Sequence, residues 1–363
     1  MGFAARQLIW VEPDLNGPSG GSRYNALAQA ALEAAGHHVI RLGLAGDWPQ
    51  PQAQQVHELT TRLRALRGEH PEATVIVDGL IGGCVPELFT GDIAPLADVL
   101  LLHLPLGAEP GAPAGVHDVE GRAVRSARAV IATSRWAAAD LHSRHGRSGV
   151  VVAEPGVERQ EASDQDAVEQ GAFEHHVLGL GRAGVPRFVV VGSLTPRKNH
   201  ELLGQALGAL LHHSWELVVA GPGAETAFGA RMLAELHAAL PGRVLAPGAL
   251  SPEQIAALLR TADLLLLPSH AETYGMVVTE AAVHGIPSFV GAGTGAEEAQ
   301  DGAGLALATT SPRSWTDAVE RWLRRPAFRE ALRSSAQSRG ARVPTWQTCA
   351  ETISSLAASL RTG

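Results

Sequence analysis

Short apolar runs alternate with stretches of helical spacing along the first part of the chain. "RQLIWVEP" reads as a strand, and beyond a glycine-containing loop "RYNALAQAALEAAG" reads as a helix. "HHVIRLGL" is the next strand and "QAQQVHELTTRLRALRG" the next helix; "ATVIVDGL" and "ADVLLLHLPL" are continuous apolar strands that end in polar residues. "SARAVIATS", the helix "RWAAADLHSRHG" and the strand "GVVVAEPG" complete this half. Continuous apolar strands separated by helices predict parallel sheets covered on both faces.

The pattern lapses over residues 158–184, "ERQEASDQDAVEQGAFEHHVLGLGRAG", which are polar and keep no period. They read as an interdomain linker with one short helix. The alternation resumes with "PRFVVVGSL", "WELVVAGPG", "GRVLAPGAL", "ADLLLLPS" and "IPSFVGAG", each separated by a helical stretch. The expected organisation is two consecutive doubly wound α/β units, residues 1–170 and 185–345, followed by a last helix over 346–363. Ligands of such sheets bind beyond the carboxyl ends of the strands. Two such units facing each other would form a central cleft, and its chemistry should lie just after the strands, where His103, Ser193, Arg197, Lys198 and Glu272 stand.

Composition narrows this picture. Hydrophobic residues make up 45% and charged residues 18% of 363 positions, enough for sizeable cores and too apolar for global disorder. The net charge of −8 argues against a nucleic-acid partner, which needs a basic face. Cys84 and Cys349 lie far apart without metal-type spacing and read as reduced thiols. "MGFAARQLIW" lacks the apolar core of a signal peptide, and "ADLLLLP" is too short to span a bilayer, so a cytoplasmic protein is expected. The stretch 122–147 is rich in arginine; a solvated face is its ordinary reading and contact with an anionic membrane the alternative.

Four segments could carry chemistry. "VVVGSLTPRKNHELLGQAL" is strand, glycine turn, basic pair, helix. Of its 29 basic residues the chain has one lysine, Lys198, and it stands here beside Arg197. Two cations at the positive end of a helix are unfavourable unless an anion joins them, and a diphosphate fits; a solvated basic turn is the plainer reading. "SHAETYGMVVTEAAVHGIPSF" places Glu272 and Glu280 eight residues apart around Gly275, the first in a loop and the second about two turns into a helix starting near Thr273. Carboxylates match vicinal diols, and the loop offers backbone N–H groups. Paired surface glutamates are the plainer reading here. "NGPSGGSRYN" has Gly20 and Gly21, which permit φ > 0 and close approach, with Ser22 as N-cap; alone it is a weak motif. His103 ends a buried strand, either as a satisfied core histidine or as a functional one. "GAGTGA" imitates a dinucleotide fingerprint but sits late in its unit, with no acid-ended strand after it. The doublets His37–His38, His175–His176 and His212–His213 lack helical ligand spacing and read as surface or packing residues.

Together these residues resemble glycosyltransferase family 4, the retaining nucleotide-sugar transferases of GT-B fold. The resemblance spans nearly the whole chain, and its most specific part is the E-x7-E of Glu272 and Glu280. "GSLTPRKN", with Gly192 and Ser193, is similar to the family's diphosphate-binding turn. "GPSGG" is similar to its glycine loop, and "HLPLG" to the site of its histidine. "GTGAEEAQDGAGLAL" departs from the family's Gly-Gly-x-x-Glu in detail, which leaves the roles of Glu297 and Glu298 open. "TWQTCAETISSL" resembles the final helix that crosses back to the first domain.

The resemblance implies a GT-B fold with two Rossmann-like domains facing a central cleft, and a retaining hexosyl transfer. The donor would be a nucleotide-sugar, UDP-sugar favoured and GDP-sugar possible; the acceptor is not identified. Arg197 and Lys198 would neutralise the leaving diphosphate, and Glu280 would bind ribose. Glu272 and the backbone of Thr273, Tyr274, Gly275, Met276 and Val277 would hold the sugar. His103 would contact the sugar, and Leu250 would pack on the base. No cofactor is implied and, without an Asp-x-Asp pair, no metal on the diphosphate. A nucleotide-sugar epimerase and a non-catalytic binding subunit are the alternatives; a pyridoxal-phosphate phosphorylase would need a second lysine.

Overall fold

The structure, a computed structural model, describes residues 5–15, 19–90, 95–109, 112–158 and 184–362. The expected linker, its short helix and the boundary at 170 lie outside the described residues. The chain divides into two compact units: residues 1–156 with 344–363, and residues 157–343.

Unit 1 is built on β1 (Gln7–Pro13), β2 (His38–Leu44), β3 (Thr74–Asp78), β4 (Val99–Leu102), β5 (Ala129–Ala132) and β6 (Val151–Val152). They pair in the order β2-β1-β3-β4-β5-β6, parallel throughout. After β2 the chain crosses back over β1 to lay down β3, so the winding direction reverses between β1 and β3. Successive residues Leu8 to Val11 are all fully buried, because helices cover both faces of the sheet.

The helix Trp346–Thr362 belongs to this unit although it ends the chain. Trp346, Cys349, Ala350, Ile353 and Ala357 recur at helical spacing and form its buried stripe. Tyr24, on the helix Gly20–Ala34, receives that stripe: its ring meets Trp346 edge-on at 5.4 Å and its hydroxyl lies 3.2 Å from Cys349 Sγ. Elsewhere in the unit, Glu120 and His145 are fully buried together, 3.2 Å apart. Burial pushes Glu120 up to about 7 and His145 down to about 4, so both favour their neutral forms.

Unit 2 is built on β7 (Arg187–Val191), β8 (Glu216–Ala220), β9 (Val244–Gly248), β10 (Leu264–Leu267), β11 (Ser288–Gly291) and β12 (Gly304–Leu307). Their order, β12-β11-β10-β7-β8-β9, is again parallel and reverses direction between β7 and β10. Phe188 and Val190 enter one core cluster, while Val189 packs into another on the opposite face. The continuous apolar reading of β7, β8, β10 and β11 therefore has its physical cause: neither face meets water. β12 was not among the expected strands. It is a four-residue edge strand, GLAL, half-buried at every position.

Three of the six arginines of the 122–147 stretch are engaged locally. Arg144 pairs with Asp140 at 2.7 Å, Arg135 with Glu154 at 3.4 Å, and Arg147 donates to the carbonyls of Arg125 and Arg128. Among the described residues, no helix is long and apolar enough to cross a membrane.

Candidate functional site

In each sheet the strand pair at the reversal point opens a crevice at its carboxyl end, the usual ligand position in such folds. Each unit places a compact polar cluster there.

In unit 2, the chain leaving β7 turns at Gly192 and Ser193 and forms a tight 3₁₀ turn, Pro196–Lys198. Arg197 and Lys198 therefore precede the helix His200–Gly208 rather than opening it, as the sequence had suggested. Asn199 stands between them in the left-handed region, φ 56°, and its side-chain amide donates to Pro268 O and Thr309 O at 3.1 and 2.9 Å. The turn is also tied to the chain leaving β10: His270 N donates to Arg197 O, and Arg197 Nη1 to Ala271 O at 2.8 Å. The Lys198 stem lies across Gly192, where an added Cβ would meet Lys198 Cε at 3.2 Å.

These ties bring both cations onto Glu272, which is 7% exposed. Lys198 Nζ donates to Glu272 Oε1, Ser269 Oγ donates to the same oxygen at 2.9 Å, and Arg197 Nη1 lies 3.5 Å from it. Burial alone would push the Glu272 carboxyl up. Lys198 and Arg197 outweigh burial and, with the hydrogen bonds, hold it below the usual carboxylate range. Two cations thus face one carboxylate at the strand ends.

Gly275 follows in the left-handed region, φ 81°, and caps the helix Met276–Val283. The helix starts three residues later than the expected Thr273, so Glu280 opens its second turn instead of ending it. Glu280 is half-buried, Thr273 and Tyr274 are buried, and Met276 and Val277 open the first turn, where Val278 N donates to Gly275 O at 2.8 Å. Leu250 is half-buried after β9 and packs on the core cluster that contains Tyr274.

In unit 1, the helix Gly20–Ala34 is capped by Ser19, not Ser22; Ser22 supplies the reciprocal bond of a capping box. Gly20 and Gly21 therefore lie inside the first helical turn, with no positive φ. Gly21 serves close approach instead: an added Cβ would meet the His103 ring at 3.0 Å. His103 follows β4. Its Nε2 lies 2.8 Å from Asn25 Oδ1 and 3.3 Å from Asp78 Oδ2. Asn25 Nδ2 donates to the same Asp78 oxygen at 2.7 Å, and Leu80 N donates to Asp78 Oδ1 at 2.8 Å. Burial would raise the Asp78 carboxyl, but His103, Asn25 and the Leu80 N–H outweigh it and hold it low. Since the Asn25 amide nitrogen is turned to Asp78, its oxygen faces His103, and Nε2 must carry the proton. Asn25, Asp78, Ser269 and Asn199 were not singled out from sequence. The signal for Asp78 was its place as the polar end of a buried strand.

Residues 181–339 match the model of the family described as Glycosyl transferases group 1. Over 259 residues the chain is 30% identical to the D-inositol 3-phosphate glycosyltransferase of Kineococcus radiotolerans, which covers 62% of this chain and 56% of that protein. It is 30% identical over 205 residues to the protein of that name from a Nocardioides species, covering 50% and 44%. These matches span about half the length of the curated relatives. Among solved structures, sucrose-phosphate synthase from Thermosynechococcus elongatus superposes with a TM-score of 0.79 at 18% identity, over 98% of this chain and 99% of that one. Anabaena HepE, in complex with UDP and glucose, superposes with a TM-score of 0.77 at 17% identity, over 98% and 100%. Residues 181–339 are thus similar to the group 1 glycosyl transferases, and the two parallel sheets with flanking helices are those of the GT-B fold.

Proposed function

We propose that this protein is a retaining glycosyltransferase that moves a hexosyl group from a nucleotide-sugar, UDP-sugar favoured, to an acceptor. The carrying observation is the Arg197–Lys198–Glu272 cluster at the reversal point of the unit 2 sheet, which gathers two cations where a diphosphate would bind. The complex of HepE with UDP and glucose supports the donor class. In this reading Arg197 and Lys198 neutralise the leaving diphosphate. Glu280 holds the ribose, and Leu250 packs on the base. Glu272 and the backbone of residues 273–277 hold the sugar, and His103 works on the sugar being transferred. D-inositol 3-phosphate, after which the relatives are named, is the first acceptor to test.

Turnover is expected to persist in excess EDTA, because protein cations and helix N–H groups supply the charge neutralisation at the leaving group. The product should keep the anomeric configuration of the donor. Proton NMR of fresh product reads that configuration from the anomeric coupling of a gluco-configured sugar. Loss of turnover on chelation that magnesium or manganese restores and zinc does not, or an inverted product, would overturn this mechanism.

The two glutamates separate by ligand. Glu280→Gln should weaken UDP and UDP-sugar binding alike, since both contain ribose. Glu272→Gln should weaken the intact donor more than UDP. Isothermal calorimetry with both ligands measures the difference, and equal losses on UDP alone contradict the division of roles.

A further inference from the structure

The loop between the helix His200–Gly208 and β8 carries two adjacent imidazoles, His212 and His213. The loop is fixed from behind. Arg243 Nη1 donates to Trp215 O at 2.9 Å, and its Nη2 donates to Leu211 O and His213 O at 3.2 and 3.0 Å. The same guanidinium lies over the Trp215 ring, 5.3 Å from its centre, and Trp215 is fully buried. The loop also closes on itself: His213 N and Trp215 Nε1 both donate to Leu210 O, at 3.0 and 2.8 Å. Both imidazoles are therefore carried on a preorganised backbone.

Opposite them, the helix Pro312–Arg324 presents Glu320. One ligand atom from each of His212, His213 and Glu320 lies within 4.8 Å of the others. Among the described residues this is the group of three His, Cys, Asp or Glu side chains gathered so closely. His213 Nε2 is buried without a hydrogen bond; Glu320 Oε1 stands 3.9 Å away, too far to make one. That is the position of a ring nitrogen and a carboxylate on either side of an ion. In a tetrahedral zinc shell with bonds of 2.0–2.2 Å, neighbouring ligand atoms lie about 3.3 Å apart, so small side-chain rotations close the gap. Arg324 Nη1 also approaches Glu320 Oε1, at 3.5 Å, but it is 68% exposed and such a pair competes weakly.

We propose that His212, His213 and Glu320 form a site for a divalent transition metal of the zinc class, clipping the loop before β8 to the helix Pro312–Arg324. Two imidazoles and a carboxylate, with water in the fourth position, are a zinc donor set; magnesium and calcium prefer oxygen donors throughout. The loop enters β8 at its amino end. The ion would therefore sit at the opposite end of the strands from Lys198 and Glu272. Its role is stabilisation of unit 2, separate from the diphosphate chemistry, and the two readings stand or fall independently.

The test uses tag-free, metal-stripped full-length protein titrated with zinc chloride in a calorimeter. Wild type is expected to bind one ion and to unfold at a higher temperature with zinc than without. The double variant His212→Ala/His213→Ala should lose both effects. Removing even a supporting partner of a metal ligand costs about 10–100-fold in affinity, so Glu320→Gln should weaken binding about 100-fold. This single, shape-conserving change at a half-buried position keeps the test decisive if the double variant folds poorly. His57→Ala, an exposed histidine of unit 1, should leave binding intact. Absence of zinc binding in wild type, unchanged binding in Glu320→Gln, equal loss in His57→Ala, or magnesium binding as tightly as zinc would each overturn the site.

Discussion

Lys198→Met is expected to lower turnover about a hundredfold or more, as loss of other preorganised charge contacts does, and also to destabilise unit 2. The sequence alone pointed only to the first effect, with folding barely changed. The structure adds the second, because Lys198 Nζ is bound to a carboxylate that is almost fully buried. Breaking a buried ion pair from one side leaves an uncompensated charge and costs about 3–5 kcal/mol; Arg197, 3.5 Å from the same oxygen, offsets part of that. The effect has a pH signature. Glu272 is held below its ordinary value in the folded state, so its contribution to stability is present above the unfolded value and is lost as pH falls through the lowered folded one. The stability gap between wild type and variant should therefore be widest near neutrality and should close in acid. The double variant Lys198→Met/Glu272→Gln separates the roles: it should regain stability by removing the stranded charge, yet stay poorly active. Urea unfolding at several pH values and donor turnover check both arms. Near-normal turnover in Lys198→Met would remove Lys198 from the chemistry.

Most strands were legible because each is an apolar run buried on two faces, and that condition writes itself into consecutive positions such as Leu264 to Leu267. β12 was not, although "AGLALA" is apolar: it is short and built of glycine, alanine and leucine rather than the β-branched and aromatic residues that mark strands. The site was legible where a residue type was unusual for its place: the lone lysine after a strand, the paired glutamates around a glycine, the histidine ending "VLLLH". What sequence could not supply was pairing across distance. Nothing local indicates that Lys198 reaches Glu272, 74 residues away, or that Asn25 reaches Asp78, 53 residues away. Those contacts follow from strand order, which sets β7 beside β10 and β1 beside β3. Buried polar residues were the available hint. Asn25 stands in an otherwise alanine-rich helix and Asp78 closes a fully buried strand, and such positions need partners.

Asp78→Asn tests that second cluster with almost no change of shape. In the wild type the donors run one way: His103 Nε2–H toward Asn25 Oδ1 and Asp78 Oδ2, and Asn25 Nδ2 toward Asp78 Oδ2. The new amide must keep its oxygen on the Leu80 N–H, which donates to Asp78 Oδ1 at 2.8 Å. Its nitrogen then replaces Oδ2 and meets the Asn25 nitrogen, two donors face to face. The low-cost relief is a flip of the Asn25 amide, which turns its nitrogen toward His103. An imidazole facing a donor must accept, so Nε2 loses its proton and Nδ1 takes it. One atom exchanged at position 78 thus reverses the tautomer of the His103 ring, 3.3 Å from it. If His103 works on the transferred sugar through the Nε2–H tautomer, turnover should fall about 10²–10⁴-fold, the range of a misdirected proton-transfer group, while UDP binding in unit 2 stays unchanged. Imidazole nitrogen NMR shifts report the tautomer, and a donor assay reports turnover. A switched tautomer with undiminished turnover would make His103 a packing residue; an unswitched tautomer would disprove the relay through Asn25.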